Sequence, residues 1–194
     1  MKLISILTPT YNEEHNVNDV YSQVKKVMSK LSYEYEHIFI DNASKDRTVE
    51  KLKDLAKKDR HVKIIVNARN FGYIRSPYYG LMQCNGDAVI YIVADLQEPP
   101  SLIPKFIEKW EKGSKVVLGV KSRSKENKLM FAFRKLYYTL LRKMADIELI
   151  DNFTGFGLYD KKIIEILREV DDPYPYLRGL IAERGFDRSI VEFQ

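Results

Sequence analysis

The sequence predicts an α/β fold, with a mostly parallel sheet and helices on both faces. Three observations predict it. Apolar runs of strand length alternate with stretches of helical periodicity, joined by short connections. One run, from Ala88 to Val93, is apolar or aromatic at every position, as a strand covered on both faces must be. That run leads into Asp95-Leu96-Gln97-Glu98-Pro99-Pro100, where two prolines break the backbone before the next helix. Ligands of open α/β sheets bind at the carboxyl ends of strands. A carboxylate at Asp95, with the amide oxygen of Gln97 two residues on, suits a hard cation and, through it, a phosphate.

The elements follow in order. Lys2 to Thr8 reads as a central strand ended by Pro9. Glu13 to Leu31 spaces Val17, Val20, Tyr21, Val24, Val27, Met28 and Leu31 by threes and fours, the mark of an amphipathic helix with acids in its first turn. Tyr35 to Ile40 is a second strand, closing at Asp41-Asn42, and Thr48 to Lys58 is a second helix. Val62 to Val66 is a third strand. Asn67 to Arg75 is a loop, and Ser76 to Cys84 a helix with Pro77 in its first turn. After the Ala88–Val93 strand come a helix from Leu102 to Trp110, a strand from Lys115 to Val120 and a helix from Leu129 to Met144. Phe156 to Tyr159 is a short strand, Lys161 to Arg168 and Pro175 to Arg184 are helical, and Ser189 to Phe193 is the last strand.

At 194 residues, with 45% hydrophobic and 30% charged residues, the chain reads as one globular domain. No run of 18 apolar residues is present, so nothing in this chain is expected to span a bilayer. The single cysteine, Cys84, excludes an internal disulfide and a cysteine-based metal site, and fits a reducing compartment. His15, His37 and His61 show no ligand spacing. The net charge of +5 is uneven: residues 121–143 carry eight Lys or Arg and one acid, a local +7 that leaves −2 for the rest. Such a segment implies an anionic partner, a nucleotide phosphate, a lipid phosphate or a membrane surface. No nucleic-acid motif accompanies it.

Three strand ends share one edge of a parallel sheet: Thr8-Pro9-Thr10-Tyr11-Asn12-Glu13, Asp41-Asn42-Ala43-Ser44 and Asp95-Leu96-Gln97. That edge collects an aromatic ring (Tyr11), three carboxylates (Glu13, Asp41, Asp95) and a basic loop (Arg69, Arg75), the composition of a nucleotide site.

Taken in order, these stretches, with Arg69-Asn70-Phe71-Gly72 and Gly86-Asp87 between them, resemble the family 2 glycosyltransferases. The resemblance is closer to their polyprenyl-phosphate branch, which includes dolichol-phosphate mannose synthase, and it runs from about residue 3 to about residue 190. It implies a GT-A fold, a nucleotide-sugar donor and Mg²⁺ or Mn²⁺. It implies that Pro9, Tyr11 and Glu13 contact base and ribose, that Asp41 binds the base, and that Arg69 belongs to the same nucleotide site. Asp95 and Gln97 become metal ligands, and Lys121, Arg123 and Arg134 face the donor diphosphate or a lipid phosphate. The implied reaction is transfer with inversion to a polyprenyl phosphate or a related glycan. The implied place is the inner face of the cell membrane, in a single catalytic domain over residues 1–194. Such domains often continue into membrane helices, and a homo-oligomer is compatible with all of this.

Two departures stand out. The family motif reads Asp-Ala-Asp where this chain has Val93-Ala94-Asp95. The polyprenyl enzymes commonly read Gly-Asp-Phe-Arg-Leu where this chain places Gly155 at the Asp and Gly157 at the Arg, which opens the pocket at both. Asp151 is the nearest substitute for a catalytic base. These departures motivate a rival expectation, a non-catalytic nucleotide-sugar-binding or scaffold protein. The helix from Leu129 to Met144 carries Phe133, Leu136, Tyr137, Leu140 and Met144 as an apolar stripe, with Arg134, Lys135, Arg142 and Lys143 at its borders. That pattern fits a helix lying on a membrane surface.

Overall fold

The computed structural model describes residues 1–121, 153–183 and 185–193. Among these residues, seven strands form one sheet: β1 (Leu3–Thr10), β2 (Glu34–Asp41), β3 (Val62–Val66), β4 (Ala88–Tyr91), β5 (Val116–Lys121), β6 (Phe153–Asp160) and β7 (Arg188–Phe193). Their order is β3-β2-β1-β4-β6-β5-β7. The pairs β1–β2, β1–β4, β2–β3 and β5–β7 are parallel. Strand β6 runs antiparallel to both its neighbours, β4 and β5.

Helices cover both faces, as the composition predicts. Along β1, Ile4 and Ile6 face one way and Leu7 the other, the period of two that a strand imposes. The first face packs α1 (Val17–Met28), α2 (Thr48–Lys58) and α4 (Ile103–Glu111) through Val17, Val20, Val24, Leu52, Phe106 and Trp110. The second face packs α3 (Gly72–Met82), α5 (Lys161–Arg168) and α6 (Leu177–Glu183) through Leu81, Ile163, Ile164, Leu167 and Ile181. Cys84 lies in this second core, where burial pushes its thiol up to about 12.

Several boundaries move. Strand β1 continues through Pro9 to Thr10. Thr10 accepts a bond from Asn42 on the β2 side, and Leu7 accepts one from Ile92 on the other side. Pro9 therefore turns its missing N–H toward β4, whose last paired residue, Tyr91, is opposite Leu7. Helix α1 occupies only the middle of the predicted periodic stretch, because residues 13–16 form a turn in which Glu13 accepts from Asn16 and Val17. Helix α3 begins at Gly72, before the predicted start at Ser76, which leaves Pro77 inside the helix. The carbonyl that Pro77 cannot serve belongs to Tyr73, a residue that is 81% exposed. Strand β4 stops at Tyr91 rather than Val93. The predicted helix from Leu129 to Met144 lies outside the described residues.

Candidate functional site

Two loops at the carboxyl edge of the sheet are laced together. Between β1 and α1, Asn12 donates its N–H to Ser44 Oγ, Glu13 to Thr48 Oγ1 and Glu14 to Asp46 Oδ2. In return Lys45 donates to Asn12 Oδ1 and Arg47 to Glu14 Oε2. Asn12 and Ala43 take φ values of 56° and 63°, the left-handed turns that reverse each loop. Beneath them Asp41 is fully buried. Its Oδ1 accepts from the Ser44 N–H at 2.9 Å, and its Oδ2 from the Thr10 and Ser44 hydroxyls at 3.2 and 2.5 Å. Asn42 does similar work toward α3. It accepts from Phe71 N and from Asn67, and donates to Asn70 Oδ1 and the Gly72 carbonyl.

This lacing holds open a cleft of about 340 Å³. Its walls include Pro9, Tyr11 and Glu13 from the β1 side, Tyr91 and Val93 from β4 and its extension, and Gly155 and Arg178 from β6 and α6. Tyr11 is 43% exposed, so its ring is a wall of the cleft and not a core residue. Glu13 Oε2 is held by Asn16 at 2.6 Å.

The loop after β4 carries the predicted cation ligands. Asp95 and Gln97 are exposed, and Leu96 between them has φ 60°. Asp95 Oδ1 accepts the Gln97 N–H at 3.1 Å, which fixes the turn and leaves Oδ2 without a partner among the described residues. No three His, Cys, Asp or Glu converge among the described residues. One free carboxylate and one amide cannot cage a cation alone. They fit Mg²⁺ or Mn²⁺ that takes most of its shell from substrate phosphates and water.

Glu98 is the residue that sequence reasoning overlooked. It is 4% exposed, directly behind this loop. Its carboxylate accepts a hydrogen bond from Thr154 Oγ1 and, at 3.4 Å, from the Val93 N–H. It thereby ties the Asp95 loop to β6. Burial pushes the Glu98 carboxyl up to about 7, against the opposing pull of Thr154 and the Val93 N–H. The only signal in the sequence was a third acid between Gln97 and two prolines. A carboxyl raised on folding binds more protons in the native state than in the unfolded one. Its contribution is therefore fully present below about pH 4.5 and is lost as pH rises to about 7. Glu98→Gln, whose amide can still accept from Val93 and donate to Thr154, should remove that slope. Denaturant melts of both proteins at pH 5 and pH 8 should differ in ΔΔG by on the order of 3 kcal/mol. Parallel pH profiles would count against the assignment.

The other expected site residues scatter. Pro9, Tyr11 and Glu13 share the cleft. Asp41 lies beneath it, with both oxygens engaged by its own loop, and is not on the wall. Arg69 is exposed and stacks on Phe71 at 4.3 Å, off the cleft wall. Lys121 is exposed at the end of β5, close enough to act electrostatically on Glu98. Arg123, Arg134 and Asp151 lie outside the described residues. Of the two glycines expected to open the pocket, only Gly155 does so. Gly157 is buried in the sheet, where a Cβ would fall 2.4 Å from the Val117 carbonyl oxygen.

A family profile described as glycosyl transferase family 2 matches residues 5–167. The chain belongs to glycosyl transferase family 2. Among its family 2 relatives, it is 36% identical over 193 residues to the uncharacterized glycosyltransferase YkcC of Bacillus subtilis (strain 168), covering 97% of this chain and 59% of that protein. It is 32% identical over 191 residues to the prophage bactoprenol glucosyl transferase homolog of Escherichia coli (strain K12), covering 98% and 62%. The chain thus spans about three fifths of these relatives. The fold is similar to that of the mannosyltransferase PcManGT from Pyrobaculum calidifontis in complex with GDP-Man and Mn²⁺. That match has a TM-score of 0.63 and 15% identity, over 97% of this chain and 54% of that one. It is also similar to S. aureus TarS 1-349 in complex with UDP-GlcNAc, with a TM-score of 0.60 and 18% identity, over 100% and 57%. No helix among the described residues is long and apolar enough to cross a membrane.

Proposed function

We propose that this family 2 domain is a metal-dependent, inverting glycosyltransferase that moves a sugar from a nucleotide-sugar donor to a polyprenyl phosphate at the cytoplasmic face of a membrane. The observation that carries the reading is the shared cleft, where Pro9, Tyr11 and Glu13 line the same space as Val93 and Gly155, next to the Asp95 loop. The names of the bactoprenol relatives and the ligands of the two solved structures support it.

In this reading the Tyr11 ring stacks on the base and Glu13 accepts from a ribose hydroxyl, with Asp41 holding the loop that presents them. Asp95 Oδ2 and the Gln97 amide oxygen would hold Mg²⁺ or Mn²⁺. The cation supplies charge stabilisation on the leaving diphosphate. Lys121, Arg123 and Arg134 draw phosphates to the cleft from the basic segment, which also favours an anionic membrane surface. The acceptor attacks the anomeric carbon from the face opposite the diphosphate. A phosphate monoester is largely ionised at neutral pH, so it needs no base, and Gly155 at the position of the family's acid is no obstacle. Asp151 would matter only for a hydroxyl acceptor.

Calorimetric titration with UDP and GDP, each with and without Mn²⁺, tests the donor half. We expect one of them to bind with Mn²⁺ present and at least about tenfold more weakly in EDTA. Binding of neither would overturn the reading.

A further inference from the structure

Among the described residues the cleft wall carries one cation, Arg178, and one carboxylate, Glu13. Glu13 is anchored at the β1 side by Asn16. Arg178 reaches in from the opposite part of the fold, on α6. Its Nη1 donates to the Phe153 carbonyl at 2.7 Å, and its guanidinium lies 5.0 Å from the centre of the Tyr176 ring. Those contacts set its direction and leave Nε and Nη2 without hydrogen-bond partners among the described residues.

Tyr91 lines the same cleft. Its hydroxyl has no partner among the described residues, and Glu98 and Arg178 are both near enough to act electrostatically on it. Burial pushes the Tyr91 phenol well above its ordinary range, so it is a hydrogen-bond donor throughout the working pH range. Gly155 leaves the ring uncovered. Its φ of 110° disfavours a side chain, and a Cβ there would sit 3.6 Å from the Tyr91 ring. Two donors, one of them charged, thus line the cleft that Gly155 leaves open. An anionic oxygen answers both, and a planar guanidinium beside a phenol suits a phosphate.

We propose that Arg178 and Tyr91 form a phosphate-oxygen subsite on the β6 side of the cleft. The assignment rests on the nucleotide-sugar and prenyl-phosphate reading above. The phosphate belongs either to the acceptor monoester or to the donor diphosphate, and two arms of one experiment separate them. The full chain is titrated with farnesyl phosphate, with farnesol as the uncharged control, and separately with UDP and GDP in Mn²⁺.

Tyr91→Phe deletes one oxygen and touches no contact of Arg178 to Phe153. It is expected to weaken one phosphate ligand about tenfold. Arg178→Gln should weaken the same ligand about thirtyfold, with part of the loss restored by Arg178→Lys. Loss confined to farnesyl phosphate assigns the subsite to the acceptor, and loss confined to the nucleotide assigns it to the donor. Farnesol should bind the wild type and variants alike. If the wild type binds these ligands and Tyr91→Phe binds them equally well, the subsite is overturned while the broader reading stands. If the wild type binds none of them, both fail together. Should Arg178→Gln not fold, Tyr91→Phe and Arg178→Lys decide the matter.

Discussion

Asp95→Asn is expected to lose the Mn²⁺ dependence of nucleoside diphosphate binding, and with it at least about a hundredfold in sugar transfer. The choice of Asn isolates the charge. Asp95 uses Oδ1 to accept from Gln97 N–H, and an Asn oxygen preserves that bond and the left-handed turn at Leu96. Only the free oxygen changes character, from anionic to an amide donor. The residue is exposed and outside both cores, so the melting temperature should stay within about 2 °C of the wild type. Asp95→Ala should bind in the same way but lose about 1 kcal/mol more stability, because it drops the turn bond as well. Retained Mn²⁺ dependence in Asp95→Asn, measured by calorimetry, would remove this residue from the cation site.

A single methyl group at position 157 should damage the fold more than the loss of any cleft side chain. Gly157 lies on β6 opposite Tyr91 of β4 and Leu118 of β5, so both neighbours are paired backbone. A Cβ there would be 2.4 Å from the Val117 oxygen and 3.3 Å from Leu118 Cα. Neither atom is the end of a flexible side chain that can swing away. Gly157→Ala is expected to cost about 3 kcal/mol or more, and to lower the melting temperature by on the order of 10 °C. At Gly155, the same change meets only the Tyr91 ring at an ordinary distance, with strain from its positive φ, and should cost about 1–2 kcal/mol. Equal losses at the two glycines, in matched thermal melts, would contradict the packing described for β6.

The comparison of these glycines shows what the sequence could reveal. Alternating apolar runs were enough for the architecture, because period and length are local properties. The placement of Tyr11 and Glu13 on the cleft wall, and of Asp95 in the loop after β4 at the same edge, was legible, since strand ends in a parallel sheet share an edge. Asp41 was not separable from them by that logic. Its type and position suit a ligand contact, yet Ser44 and Thr10, three and thirty-one residues away, take both its oxygens. Glu98 and Arg178 were missed for the same reason. Glu98 matters through Thr154, fifty-six residues on, and Arg178 enters the cleft only because α6 is folded back against β6. The start of α3 at Gly72 likewise depends on Asn42, from another loop. The direction of β6 was hidden too, because an apolar strand reads alike both ways.

That direction has a consequence for how the chain is made. Strands β1, β2 and β3 complete their pairing within residues 3–91, and β4 has one of its two partners there, so this half of the sheet can assemble as soon as it leaves the ribosome. Strand β5 emerges next, but its partners are β6 and β7. Until residue 160 is out, Val116, Val117 and Leu118 have no complete partner strand, and only α4 covers one of their faces. At translation rates of about 5–20 residues per second, that interval lasts on the order of several seconds. A nascent chain at this stage would be an open sheet with β4 as a bare edge, free to pair with another strand until β6 arrives.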